Sequence, residues 1–153
     1  MTYLEEFGET TASVFHLQDQ LSRTGVGRVI ASGAQTHGDF GLFHAEMAPG
    51  DEIAAHFHRT FSESFYVLSG HIELWNNEDW TKASPGELVH VPRGGVHGLR
   101  VPGGEGAEVL TLFTPGVPRE EFVLELLEIR RSGRMLTTEE WAEFYRRHDQ
   151  FMV

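Results

Sequence analysis

Gly50-Asp51-Glu52-Ile53-Ala54-Ala55-His56-Phe57-His58-Arg59-Thr60-Phe61-Ser62-Glu63-Ser64-Phe65-Tyr66-Val67-Leu68-Ser69-Gly70 decides how this sequence is read. On a β-strand, residues two apart face the same way and lie roughly 6.6 Å apart along the chain, so His56 and His58 can hold one ion between them. Glu63 follows past a turn containing Thr60 and Ser62, and can return on the next strand as an anionic third ligand. A second stretch runs from Gly86 through Pro92 and Gly94 to His97. Its Pro and Gly shape a tight bend that can aim His97 back into the same interior.

Around these stretches the chain is cut at short intervals by turn signals. They fall at Ser32-Gly33, Pro49-Gly50, Ser69-Gly70, Asn76-Asn77, Pro85-Gly86, Gly94-Gly95, Pro102-Gly103-Gly104 and Pro115-Gly116. The segments between them are rich in β-branched and aromatic residues, as in Phe65 to Leu68, His71 to Trp75, Leu88 to Val91 and Val109 to Phe113. That spacing predicts an all-β, antiparallel sandwich or small barrel, with no helix of useful length before residue 117. Alternation puts Phe65 and Val67 on the face of Glu63, and Leu99 on the face of His97.

The pattern changes after Val117. Pro118 suits a first helical turn, and Glu120 and Glu121 suit the positive end of a helix dipole. Phe122, Leu126 and Ile129, widened by Val123 and Leu127, form an amphipathic stripe over 118–131 that Ser132-Gly133 ends. Thr137-Thr138-Glu139-Glu140 offers a capping box for a second helix carrying Trp141, Phe144 and Tyr145. Both stripes are read as packing surfaces against the barrel or a second copy of the chain, and a homodimer is expected. Domain organisation is read as one unit over 1–153: an arm or edge strands at 1–28, a barrel core at 29–117 and C-terminal helices at 118–153.

The two ligand stretches resemble the two motifs of the cupin superfamily, small β-barrel (jelly-roll) proteins with a metal in the barrel mouth. Residues 50–70 carry every defined position of the first motif: Gly50, His56, His58, Glu63 and Gly70. Residues 86–97 carry Gly86, Pro92, Gly94 and His97 of the second, but Val101 stands where the motif has Asn. The resemblance implies that His56, His58, Glu63 and His97 bind one divalent transition metal, which could be iron, manganese, nickel, cobalt, copper or zinc. A narrower likeness is to single-barrel cupins grouped with quercetinase-like dioxygenases. It rests on Ser32 to Gly38, Glu63 to Gly70, Val91 to Gly94 and Phe113 to Gly116.

Three functions are compatible with that ligand set. The preferred one is an oxygenase acting on a small phenolic or enolic substrate, with Glu63 doubling as ligand and catalytic proton acceptor. The others are a non-redox cyclase or isomerase of a polyketide-like or phenolic substrate, and a small-molecule binding module without turnover. Of the other histidines, His71 and His90 lie in predicted strands and can face either way; His16, His37, His44 and His148 carry less functional weight. Arg59 and Arg100 are read as outward, solvated charges.

Composition narrows the partners. Among 153 residues, 23 are acidic and 12 are Lys or Arg, a formal net charge of −11 that disfavours nucleic acid and anionic membrane as partners. The absence of cysteine removes thiol chemistry and Cys-based zinc sites. The N-terminus shows an acidic pair at Glu5-Glu6 where a secretory leader would be basic, and a soluble, cytoplasmic protein is expected.

Overall fold

A computed structural model describes residues 12–16 and 27–153. The chain runs through β1 (Gly27–Ala31), β2 (Gly41–Met47), β3 (Glu52–Phe57), β4 (Ser62–Ser69), β5 (Ile72–Trp75), β6 (Trp80–Ala83), β7 (Leu88–Val91), β8 (His97–Arg100) and β9 (Ala107–Thr114). Two helices follow, α1 (Arg119–Ser132) and α2 (Thr138–Arg147), and then a short strand β10 (Phe151–Met152). The strands form two five-stranded antiparallel sheets, ordered β1-β2-β9-β4-β7 and β10-β3-β8-β5-β6. This is the all-β architecture with a helical tail that the turn spacing predicts. The tail is not helical throughout, however, because β10 returns to pair with β3. Most of the expected arm or edge strands at 1–28 lie outside the described residues; Gly27 and Arg28 begin the edge strand β1.

Period-two alternation builds the core. Along β9, Ala107, Val109, Thr111 and Phe113 are buried while their neighbours are more exposed. Their register against β4 sets Phe113 opposite Glu63, Thr111 opposite Phe65 and Val109 opposite Val67. Phe65, Val67, Ile72, Val91, Leu99, Val101 and Val109 join in one apolar cluster between the sheets. Each such side chain contributes about 1.5–3 kcal/mol when fully withdrawn from water. Val101, the departure from the second motif, is part of that cluster, and its backbone is tied down by bonds between Val101 and both Gly50 and Asp51.

Two glycines are required by local geometry. Gly70 has φ +70°, and a Cβ there would stand 2.1 Å from the Gly106 carbonyl oxygen. Gly94 has φ +76° in the bend before β8, and its N–H donates to the His58 carbonyl at 2.7 Å. The second motif's bend is thus clasped to the first motif's histidine.

α1 begins one residue later than the pattern predicts, since Pro118 occupies the N-cap rather than the first turn. Gly133, with φ +66°, ends it in the left-handed conformation. α2 carries the expected capping box: the Thr137 side chain accepts from the Glu140 N–H while the Glu140 carboxylate accepts from the Thr137 N–H. Phe144 of α2 is buried against Phe122 of α1, the rings stacked with centroids 5.3 Å apart. Trp141 and Tyr145 stack beside them. Of the two stripes, Phe144 is buried within the chain, while Phe122, Leu126, Ile129, Trp141 and Tyr145 are half-buried. No helix among the described residues is long and apolar enough to cross a membrane.

Candidate metal centre

The four sequence-predicted ligands converge. His56 lies near the end of β3, His58 just beyond it, Glu63 near the start of β4 and His97 at the start of β8, paired directly across from His56. All four are buried, and each offers a ligand atom within 4.8 Å of the others. Glu63 Oε2 lies 3.0 Å from His97 Nε2 and 3.2 Å from His58 Nε2. Phe61, almost fully buried, stacks on the His58 ring at 4.2 Å and fixes its tilt.

The other ring nitrogens explain what this cluster is suited to hold. His56 Nδ1 faces the Ala54 carbonyl at 2.7 Å, His58 Nδ1 the Asp149 carbonyl at 2.7 Å, and His97 Nδ1 the Gly95 carbonyl at 3.0 Å. A carbonyl oxygen only accepts, so each Nδ1 must carry its proton. In the neutral ring Nε2 is then a bare lone pair. Three lone pairs and a carboxylate, acceptors all, thus face one small volume. Protons can relieve their repulsion only by charging the rings; a divalent cation relieves it with all three rings neutral. Three nitrogens, one oxygen and no sulfur suit a first-row transition ion.

With only protons to share, the groups pull one another's titration apart. Burial would raise the Glu63 carboxyl, but hydrogen bonds with His58 and His97 outweigh it and hold Glu63 well below the usual carboxylate range. Burial lowers His56, helped by the charge of His97, to about 4. His97 is opposed by burial yet raised above 6.5 by its bond and charge interaction with Glu63.

The centre opens into a cavity of about 520 Å³. Its walls combine barrel residues such as Phe43, Phe65, Leu99 and Val109 with Phe122 and Leu126 of α1. The helix stripe is therefore in part a cavity wall. Phe65 and Leu99 stand on the faces that alternation assigned them.

The remaining histidines stay outside the centre. His71 is exposed, and so is His90, which hydrogen-bonds Ser64 Oγ at 2.8 Å on the outer face. His16 is exposed and His37 sits in a turn, while His44 pairs with Glu108 and His148 with Glu125. Arg59 and Arg100 are not simply solvated, since Arg59 stacks on Phe151 and Arg100 lies over Trp80 and pairs with Glu73.

Three residues of the site carry no motif signal. Asp149, with φ +53°, gives its carbonyl to His58, and its carboxylate accepts from the Arg59 and Thr60 N–H groups and the Thr60 hydroxyl. Arg119 and Gln150 line the cavity and are buried. Only the return of β10 to β3, with Met152 opposite His56, brings Asp149 and Gln150 here.

Residues 43–113 match the Cupin_2 family, described as a cupin domain. The barrel is a cupin barrel. Among curated proteins it is similar to quercetin 2,3-dioxygenase of Bacillus subtilis (strain 168), 34% identical over 74 residues, covering 48% of this chain and 22% of that protein. It is also similar to tetracenomycin polyketide synthase protein TcmJ of Streptomyces glaucescens, 29% identical over 80 residues, covering 52% of this chain and 54% of that one. The chain thus spans less than two thirds of either relative. Among solved structures, the cupin barrel resembles the polyketide cyclase RemF of Streptomyces resistomycificus in fold, with TM-score 0.54 and 23% identity over 67% of this chain and 79% of that chain.

Proposed function

We propose that this protein is a metal-dependent enzyme acting on a small phenolic or enolic substrate, with dioxygen as co-substrate. The convergence of three Nε2 atoms and the Glu63 carboxylate at the wall of an otherwise largely apolar cavity carries this reading. Three neutral imidazoles and one carboxylate would leave a divalent ion with net charge of about +1, which favours an anionic oxygen donor such as an enolate or phenolate. Such an ion supplies Lewis acidity to a substrate oxygen and, when redox-active, one-electron chemistry. Glu63 takes the proton from the substrate hydroxyl at Oε, because a carboxylate beside the substrate can swing to accept it. His56, His58 and His97 are held fixed, each donating Nδ1–H to a carbonyl. Phe65, Leu99 and Phe122 exclude water and seat a planar ring.

A second reading, a non-redox cyclase or isomerase of a polyketide-like or phenolic substrate on the same centre, draws its substrate class from the similarity to a polyketide synthase protein. Oxygen demand separates the two. Protein stripped by chelation and reloaded singly with iron, manganese, nickel, cobalt, copper or zinc is assayed on an oxygen electrode with a panel of flavonols and enols. The oxygenase reading expects oxygen uptake with a redox-capable ion and products that together carry two more oxygen atoms than the substrate. Full turnover under strict anaerobiosis, with product isomeric to substrate, establishes the cyclase reading instead. Saturable binding with no product in either atmosphere establishes a binding module.

A further inference from the structure

Arg119 is a buried cation that makes no direct ion pair among the described residues. It opens α1, is 8% exposed and lines the same cavity as Glu63 and His97. Its Nη1 donates to the His148 carbonyl at 2.9 Å and its Nη2 to Gln150 Oε1 at 3.1 Å. The guanidinium also lies over the Phe122 ring at 4.1 Å. Both hydrogen-bond acceptors are neutral, and no described carboxylate lies within ion-pair distance of Arg119. A guanidinium has five N–H donors, so three have no protein acceptor among the described residues. Burial lowers the group to about 10, which leaves it charged at neutral pH.

An unpaired charge withdrawn from water is costly, and proteins keep one where a counter-charge arrives. Glu63 and Asp149 act on Arg119 through space, but the Glu63 carboxylate is already engaged by His58 and His97, and the Asp149 carboxylate by Arg59 and Thr60. The ring faces around Arg119 hold the fork in place from the apolar side, and a fixed guanidinium fork matches a carboxylate.

We propose that Arg119 is the specificity residue for a second oxyanion on the substrate, so that the cavity selects small phenolic or enolic carboxylates. One substrate oxygen faces His56, His58, Glu63 and His97, and a carboxylate faces Arg119. This assignment rests on the proposed phenolic or enolic substrate class. It differs from a purely structural role, in which Arg119 only staples His148 and Gln150 and so holds β10.

The test is equilibrium binding to zinc-loaded full-length protein under argon, read by tryptophan fluorescence and calorimetry. The probes are 3,4-dihydroxybenzoate and 4-methylcatechol, which keep the same diol and exchange a carboxylate for a methyl group. Wild-type protein is expected to bind the benzoate roughly tenfold or more tighter. Arg119→Met should bring that ratio near one, and Arg119→Lys should restore part of it. A structural role would weaken both probes together and leave the ratio unchanged, which overturns the assignment. Equal affinities in the wild type overturn it with no variant needed, so a poorly folding Arg119→Met does not protect it. Zinc-dependent binding without carboxylate preference removes Arg119's role and leaves the proposed function standing. Carboxylate preference that survives zinc removal does the reverse, and failure of both probes to bind removes both.

Discussion

Replacing Asp149 tests whether the C-terminal strap holds the centre in register. Its carboxylate accepts from the Thr60 N–H at 2.8 Å, the Thr60 hydroxyl at 2.7 Å and the Arg59 N–H at 3.1 Å, while its carbonyl holds His58 Nδ1 at 2.7 Å. Asp149→Ala removes the first three and leaves a β-methyl residue at φ +53°, which alanine tolerates less well than Asp. A charge-assisted hydrogen bond is worth about 1.5–3 kcal/mol, but these groups are partly solvated, so water recovers much of it; a net loss of about 2 kcal/mol is expected. Partners that orient a ligating histidine are worth roughly 10–100-fold in metal affinity. Asp149→Asn keeps one acceptor oxygen and its tolerance of the left-handed region, and should lose several-fold less. Burial opposes the Asp149 charge, yet the bonds from Thr60 and Arg59 outweigh it and hold the group below its ordinary 3.8. The strap's contribution is therefore full above that value and lost as pH falls through the depressed one. Zinc titration against a chromophoric chelator, alongside thermal melts, reads both effects. Metal affinity within twofold of wild type in Asp149→Ala, even with a lower melting temperature, would mean that the strap does not hold the centre.

Three further outcomes follow from the same geometry. Phe61→Ala should cost about 3–5 kcal/mol by chemical denaturation and free the His58 ring, whereas Phe61→Leu should retain most of both; equal loss in the two would show that stacking on His58 is irrelevant. Metal affinity should fall as pH drops, beginning above 6.5, because an ion must displace the proton from the raised His97; His56, lowered to about 4, should compete only in strong acid. A pH-independent affinity between 5 and 8 would contradict this. Glu63→Gln should keep weakened metal binding through its amide oxygen but lose most turnover if Glu63 accepts the substrate proton, read as a fall in kcat larger than any rise in KM.

The barrel and the cluster of His56, His58, Glu63 and His97 were legible because both are written in short-range periods. Strand alternation, Gly and Pro punctuation and the His-x-His pair act within a few residues. The strand parity of His90 was not legible, because Leu88/His90 and Val89/Val91 are equally plausible inward pairs until β4 fixes the register with Glu63 opposite Val91. Arg119, Asp149 and Gln150 were missed for a different reason. Asp149 reaches His58 across 91 positions, through a two-residue strand too short to leave a pattern. The α1 stripe was visible as an apolar face, but periodicity does not distinguish Phe122 stacked on Phe144 from Phe122 lining a cavity, and the structure makes it do both.

The binding of one metal ion by His56, His58, Glu63 and His97 underlies every reading of the site. It is tested most directly by elemental analysis of the purified protein, wild type beside the His56→Ala/His58→Ala double variant, after equilibration with each divalent ion and desalting. Close to one transition ion is expected per wild-type chain and almost none in the double variant, with the barrel still folded by circular dichroism. Stoichiometric metal retained in the double variant, or a wild-type chain that takes up none of the ions offered, would contradict it.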